Sequence, residues 1–171
     1  MVLLPSKDLP LGMKCPDFNL MGVDGGTHSL QTLAHKKALV IIVMCVHCPY
    51  VQEIEDDIVR LQEEFEFEGI QFVGINPNDA VQYPDDSFDG MRKRAEEMGY
   101  NFLYLRDEDQ SVAKALDAVC TPDIYLFDEK RELYFHGHIK NLEYAIEDLL
   151  DEEPPMTGLE PSQGCSIKWK E

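Results

Sequence analysis

The stretch ALVIIVMCVHCPYVQEIEDDIVRLQEEF, Ala38 to Phe65, decides the reading of this chain. It opens as a continuous apolar, β-branched run, the pattern of a strand buried on both faces. It ends in Cys45-Val46-His47-Cys48, and then Val51, Ile54, Ile58, Leu61 and Phe65 recur at spacings of three and four, one face of a helix. A core strand has no need of cysteines at its end, and a structural disulfide rarely joins residues three apart. The pair therefore points to chemistry or to metal.

The strand-to-helix hand-over places Cys45 near a helix N-terminus, where unpaired N–H groups and the helix dipole favour an anion. A free thiol titrates near 8.5, so only about 3% is thiolate at neutral pH, and a helix start lowers that pKa. The expected roles are Cys45 as an exposed nucleophile and Cys48, one turn inside, as the resolving thiol. His47 is the candidate for modulating the thiolate if protonated. Glu53, Glu55, Asp56 and Asp57 suit the helix dipole but oppose a nearby thiolate.

The rest of the chain supplies the frame. Ile70–Asn76 and Asn101–Leu105 read as further strands, and Asp123–Asp128 and Leu133–Ile139 flank Glu129-Lys130-Arg131 as a hairpin. Asp24-Gly25-Gly26 marks a second hairpin nearer the N-terminus. Helices are expected over residues 87–98 with a Ser cap, 109–118, and 141–150 with an Asn cap. Alternating strands and helices with a terminal hairpin predict an α/β fold with a mixed central sheet flanked by helices, an N-terminal β-hairpin extension and a C-terminal tail. The domain is placed at residues 1–150. Residues 151–171 form a tail rich in proline and acid, without a helix or strand pattern. Its Ile167 and Trp169 are expected to dock on the domain, on one side of an extended segment.

Composition narrows the function. The 171 residues carry 33 acidic and 15 basic side chains, a net charge of −18. The densest basic cluster, Arg92-Lys93-Arg94, is flanked by acids, so neither a nucleic acid nor a membrane surface is an expected partner. The N-terminus has no basic start and no long apolar stretch, which predicts a cytoplasmic protein. Five cysteines, Cys15, Cys45, Cys48, Cys120 and Cys165, are too few and too odd in number for a disulfide framework.

Five motifs in order carry a family resemblance over essentially the full length: CPDFNL after Gly12, CVHCPYVQEIED, GINPNDAVQYPDDSFDGM, VCTPDIYLFD and GCSIKW. The chain resembles the thioredoxin-fold redoxins of the alkyl hydroperoxide reductase and thiol-specific antioxidant family, in a bacterial C-x-H-C-P-Y-V subgroup. The resemblance implies a thioredoxin-like fold, Cys45 as nucleophile, Cys48 as resolving cysteine, a cis peptide before Pro122, and Thr121 pairing its backbone with a bound substrate chain. Met44 stands where thioredoxins usually have Trp. The peroxidatic Pro-x-x-x-Thr-x-x-Cys pattern is absent, because Ile42 lies three before Cys45 and Cys45 three before Cys48.

The leading expectation is a thiol–disulfide oxidoreductase acting on protein or small-molecule disulfides with a thiol reductant system, without a cofactor or a resident metal. A peroxiredoxin-like peroxide reductase is the second reading. A metal-binding or metal-delivery module built on Cys45, Cys48 and a nearby Cys or His is the third, with His136 and His138 on one strand face. Cys120 and Cys165 are candidates for a further redox role, and Cys15 is expected to be a packing residue. Substrate, reductant and oligomeric state are not legible in the sequence.

Overall fold

The computed structural model describes residues 3–171. Its elements run β1 (Leu3–Pro5), β2 (Asn19–Met21), β3 (Thr27–Ser29), β4 (Ala38–Val43), α1 (Pro49–Gln52), α2 (Glu55–Phe65), β5 (Ile70–Asn76), α3 (Phe88–Met98), β6 (Leu103–Arg106), α4 (Ser111–Ala115), β7 (Cys120–Thr121), β8 (Asp123–Phe127), β9 (Leu133–His136), α5 (Ile139–Leu150) and β10 (Gln163–Ser166). The apolar run Ala38–Val43 is the middle strand of a five-stranded sheet in the order β6-β5-β4-β8-β9. Pairing is parallel from β4 through β5 to β6 and antiparallel from β4 through β8 to β9, so the sheet is mixed.

Both faces of β4 are buried because its side chains alternate between two cores. Val40 and Ile42 pack with Ile58, Leu61 and Phe65 of α2 and with Leu142, Ile146 and Leu149 of α5. Leu39, Ile41 and Val43 pack on the other face with Val112 and Leu116 from the α4 region, with Phe18 and with Ile167 of the tail. Each large apolar side chain so buried contributes about 1.5–3 kcal/mol. Both expected hairpins form: β2 pairs with β3 around the Asp24-Gly25-Gly26 turn, and β8 pairs with β9. Among the described residues no helix is long and apolar enough to cross a membrane.

Four expectations need correction. The helix after Cys48 is not continuous. α1 stops at Gln52, and α2 begins at Glu55 after a tightened turn in which the Ile54 N–H reaches the Val51 carbonyl. The last helix starts at Ile139, capped by His138, whose Nδ1 accepts from the Lys140 N–H, rather than by Asn141. The third helix shrinks to Ser111–Ala115 behind Gln110, which adopts a left-handed conformation at φ 65°. The tail contains a strand: β10 lies between β1 and β7 in a second sheet, antiparallel to both.

Candidate active site

The site lies where β4 ends. Cys48 has extended backbone (φ −101°, ψ 123°) and caps α1, with Pro49 at the first helical position, where a missing N–H has no consequence. Cys45 stands three residues earlier, outside the helix. Both sulfur-bearing residues are enclosed, Cys45 at 4% and Cys48 at 2% exposure. The expected exposed Cys45 at a helix start is therefore corrected: the helix N-terminus belongs to Cys48, and neither thiol stands open to solvent.

The charge follows the geometry. The Cys48 thiol is held down at about 4, chiefly by a hydrogen bond from Cys45, then by the Cys165 side chain and by the backbone N–H groups of Val51 and Cys165. Burial opposes this. The Cys48 Sγ also has the Thr121 carbonyl oxygen 3.4 Å away as an acceptor when the thiol is protonated. Cys45 is pushed the other way, first by donating to Cys48, then by burial and by the nearby Asp86 carboxylate. Its sulfur lies 3.4 Å from the Thr121 hydroxyl. The two thiols are thus pushed in opposite directions, Cys48 down and Cys45 up, whereas position alone had pointed to Cys45 as the lowered thiol.

A buried polar cluster holds the Cys45 loop. Asp86 accepts the Val46 N–H at 2.7 Å and the Asn76 side-chain amide at 3.0 Å on one oxygen, and the Asn78 amide at 3.0 Å on the other. The Tyr104 hydroxyl donates to the Met44 carbonyl at 3.3 Å. Arg106 donates to the main-chain carbonyls of Asn76, Asp86 and Asn78 and pairs through Nε with the Glu108 carboxylate at 2.8 Å, so its charge is spent there rather than on a sulfur. Sequence reasoning gave none of these residues a role. The available signal was the polar trio Asn76, Asn78 and Asp86 beyond an apolar strand.

The other candidates fall as follows. His47 is 77% exposed at its side chain, and its Nδ1 faces Asp85 at 3.3 Å, so the expected modulation of the thiolate has no contact to act through. Glu55 is buried against Arg94 and the Tyr100 hydroxyl, which compensates the carboxylate that was expected to oppose a thiolate. The Thr121–Pro122 peptide is cis. Thr121, assigned by resemblance to a substrate chain, pairs instead with Cys165 of β10. Beside Pro122 a cleft of about 80 Å³, lined in part by Tyr50, Glu53 and Gln163, remains open.

Cys165 Sγ lies 2.6 Å from Cys48 Sγ. Cys120 is fully buried and its thiol is pushed up to about 12, chiefly by burial. Cys15 is likewise buried and raised to about 12, in keeping with a packing role. The histidines of the metal reading are committed elsewhere: His136 Nε2 is 2.7 Å from the buried Asp123 carboxylate, and His138 caps α5. Among the described residues, the group of three ligating side chains whose donor atoms lie within 4.8 Å of one another is Glu64, Glu143 and Glu147, which contains no cysteine.

A paired-cysteine loop between the middle strand and a helix, set against a cis-proline turn in a mixed sheet, defines a thioredoxin-fold redoxin. The chain belongs to the AhpC/TSA family, whose model matches residues 11–136. It is 29% identical over 131 residues to a Helicobacter pylori protein named "Putative peroxiredoxin bcp", covering 77% of this chain and 75% of that one. A conserved protein of Geobacillus kaustophilus has a solved structure that matches with TM-score 0.96 and 41% identity, over 99% of this chain and 97% of that one. The thioredoxin domain of a thiol-disulfide oxidoreductase of Bacteroides vulgatus shares the fold at TM-score 0.70 and 16% identity, over 84% of this chain and 99% of that one.

Proposed function

We propose that the protein is a thiol–disulfide oxidoreductase acting on protein or small-molecule disulfides, with electrons from a thiol reductant system. The observation that carries this reading is the enclosed Cys45/Cys48 pair at the end of β4 beside the cis Thr121–Pro122 turn, with the Cys45 sulfur 3.4 Å from the Thr121 hydroxyl and the Cys48 sulfur 3.4 Å from the Thr121 carbonyl. A thiolate attacks one sulfur of a disulfide and forms a mixed disulfide. The neighbouring Cys45 thiol, once it loses its proton, attacks Cys48, closes the intramolecular disulfide and releases the substrate thiol. Cys48 is therefore the nucleophile and Cys45 the resolving residue. Pro122 lines a small cleft with Tyr50 and Glu53, and Thr121 holds Cys45 through its hydroxyl. Reduction of insulin disulfide by a thiol reductant tests this. Wild type should accelerate it, and Cys48→Ser should not. Equal turnover by the two proteins would overturn the reading.

A second reading, peroxide reduction, is favoured by family membership and by the name of the Helicobacter pylori relative. Against it stands the chemistry around the thiols. The position three before Cys48 is Cys45, and the charged neighbour of that cysteine is Asp86 rather than a cation. Among the described residues no cation acts on either thiol, so an O–O bond there would lack a positively charged partner. The reaction of reduced protein with hydrogen peroxide should run close to the rate of an unassisted thiolate.

A further inference from the structure

The tail segment that carries Cys165 is held from both ends. Gly164 lies so close to β7 that an added Cβ would sit 1.7 Å from the Thr121 carbonyl oxygen. Beyond the strand, Ile167 is buried in the core and its N–H reaches the Val119 carbonyl at 3.1 Å. The Lys168 N–H donates to the Asn78 side chain at 3.0 Å, and the Lys168 carbonyl accepts from Asp79 and Gln110. Cys165 is thereby fixed opposite Thr121 with its sulfur 2.6 Å from that of Cys48. Cys48 has a thiol neighbour on each side: Cys45 from the loop and Cys165 from the tail.

We propose that Cys165 is a third redox cysteine, and that the disulfide of the oxidised protein passes from Cys45–Cys48 to Cys48–Cys165. The inference rests on the Cys45–Cys48 pair being redox active. In the step, the Cys165 sulfur attacks the Cys48 sulfur. The Cys48–Cys165 bond forms as the Cys45–Cys48 bond breaks, the electron pair leaves on Cys45, and the Cys165 proton ends there. No electrons enter or leave the protein, so no external oxidant or reductant is needed. Burial raises the Cys165 thiol to about 12, which makes this proton transfer part of the step. The result returns Cys45 to its thiol form and places the disulfide beneath β10. Cys120 stays outside the relay, its sulfur directed at the Pro122 carbonyl 4.0 Å away.

The test is disulfide mapping by mass spectrometry of the full chain, equilibrated in glutathione buffers, acid-quenched and alkylated. Wild type should contain both Cys45–Cys48 and Cys48–Cys165. Cys45→Ser should retain Cys48–Cys165 alone. Gly164→Ala keeps every cysteine but drives a methyl group into the Thr121 carbonyl, so Cys48–Cys165 should be lost while Cys45–Cys48 persists. Absence of a Cys48–Cys165 link from both wild type and Cys45→Ser would overturn the relay. If Cys165→Ser still forms Cys45–Cys48 and reduces insulin disulfide in that event, the oxidoreductase reading survives alone. If the link forms but no variant reduces a disulfide, the relay stands and the oxidoreductase reading falls.

Discussion

Cys48 and Cys120 are the same residue type, and both are enclosed, at 2% and 0% exposure. One is held at about 4 and the other at about 12. The difference lies in what surrounds each sulfur. Cys48 occupies the N-cap of a helix, with Cys45 and Cys165 as its sulfur neighbours. Cys120 lies on a two-residue strand with Asp123 nearby and a carbonyl as its contact. Burial by itself suppresses a thiolate, and only converging donors reverse it. Reactivity in this protein is therefore a local property of the end of β4.

The largest expected effect contrasts the two cysteines directly. Cys48→Ser should reduce turnover of insulin disulfide to the uncatalysed level. Cys120→Ala should leave it within about twofold and lower stability by about 1 kcal/mol, the cost of a small cavity. A Cys120→Ala protein as inactive as Cys48→Ser would erase the distinction. Next comes the polar cluster behind Cys45. Asp86→Asn replaces one acceptor oxygen by a donor facing Asn76, Asn78 or the Val46 N–H, so urea unfolding should show a loss of about 1–3 kcal/mol. The adjacent negative charge also disappears, which should lower the Cys45 pKa.

The pH dependence of stability sharpens the contrast further. Cys48 has a folded pKa below that of an unfolded thiol, so its contribution is fully present above the unfolded value and fades as pH falls through about 4. Thermal melts of reduced protein should therefore show the gap between wild type and Cys48→Ser narrowing from neutral pH toward pH 4. A gap that widens on acidification would place the thiolate elsewhere.

Much of the frame around this contrast was legible in the residues. The β4 run, the two hairpins and the spacing of Ile58, Leu61 and Phe65 follow from periodicity, because burial on one or both faces imposes it. The cysteine pair and the cis peptide were legible through motif resemblance. What stayed hidden depends on contacts distant in sequence. Gln163-Gly164-Cys165-Ser166 has no apolar alternation, because β10 is selected by a close approach at Gly164 and by backbone pairing rather than by a hydrophobic face. The expected pairing of Ile167 with Trp169 divides for a similar reason. Ile167 enters the core, whereas Trp169 remains 37% exposed with the Lys114 ammonium 5.7 Å from its ring. The approach of Cys165 to the Cys48 sulfur was also out of reach, since the two lie 117 positions apart.

The central claim is that Cys48 is the resting thiolate, and the ultraviolet thiolate absorbance of the reduced protein across pH tests it most directly. Wild type should show one thiol titrating near pH 4. That step should vanish in Cys48→Ser and move upward in Cys45→Ala, because the leading donor to the Cys48 sulfur is gone. A low-pH step that survives in Cys48→Ser and disappears in Cys45→Ala would contradict the account and restore Cys45 as the nucleophile.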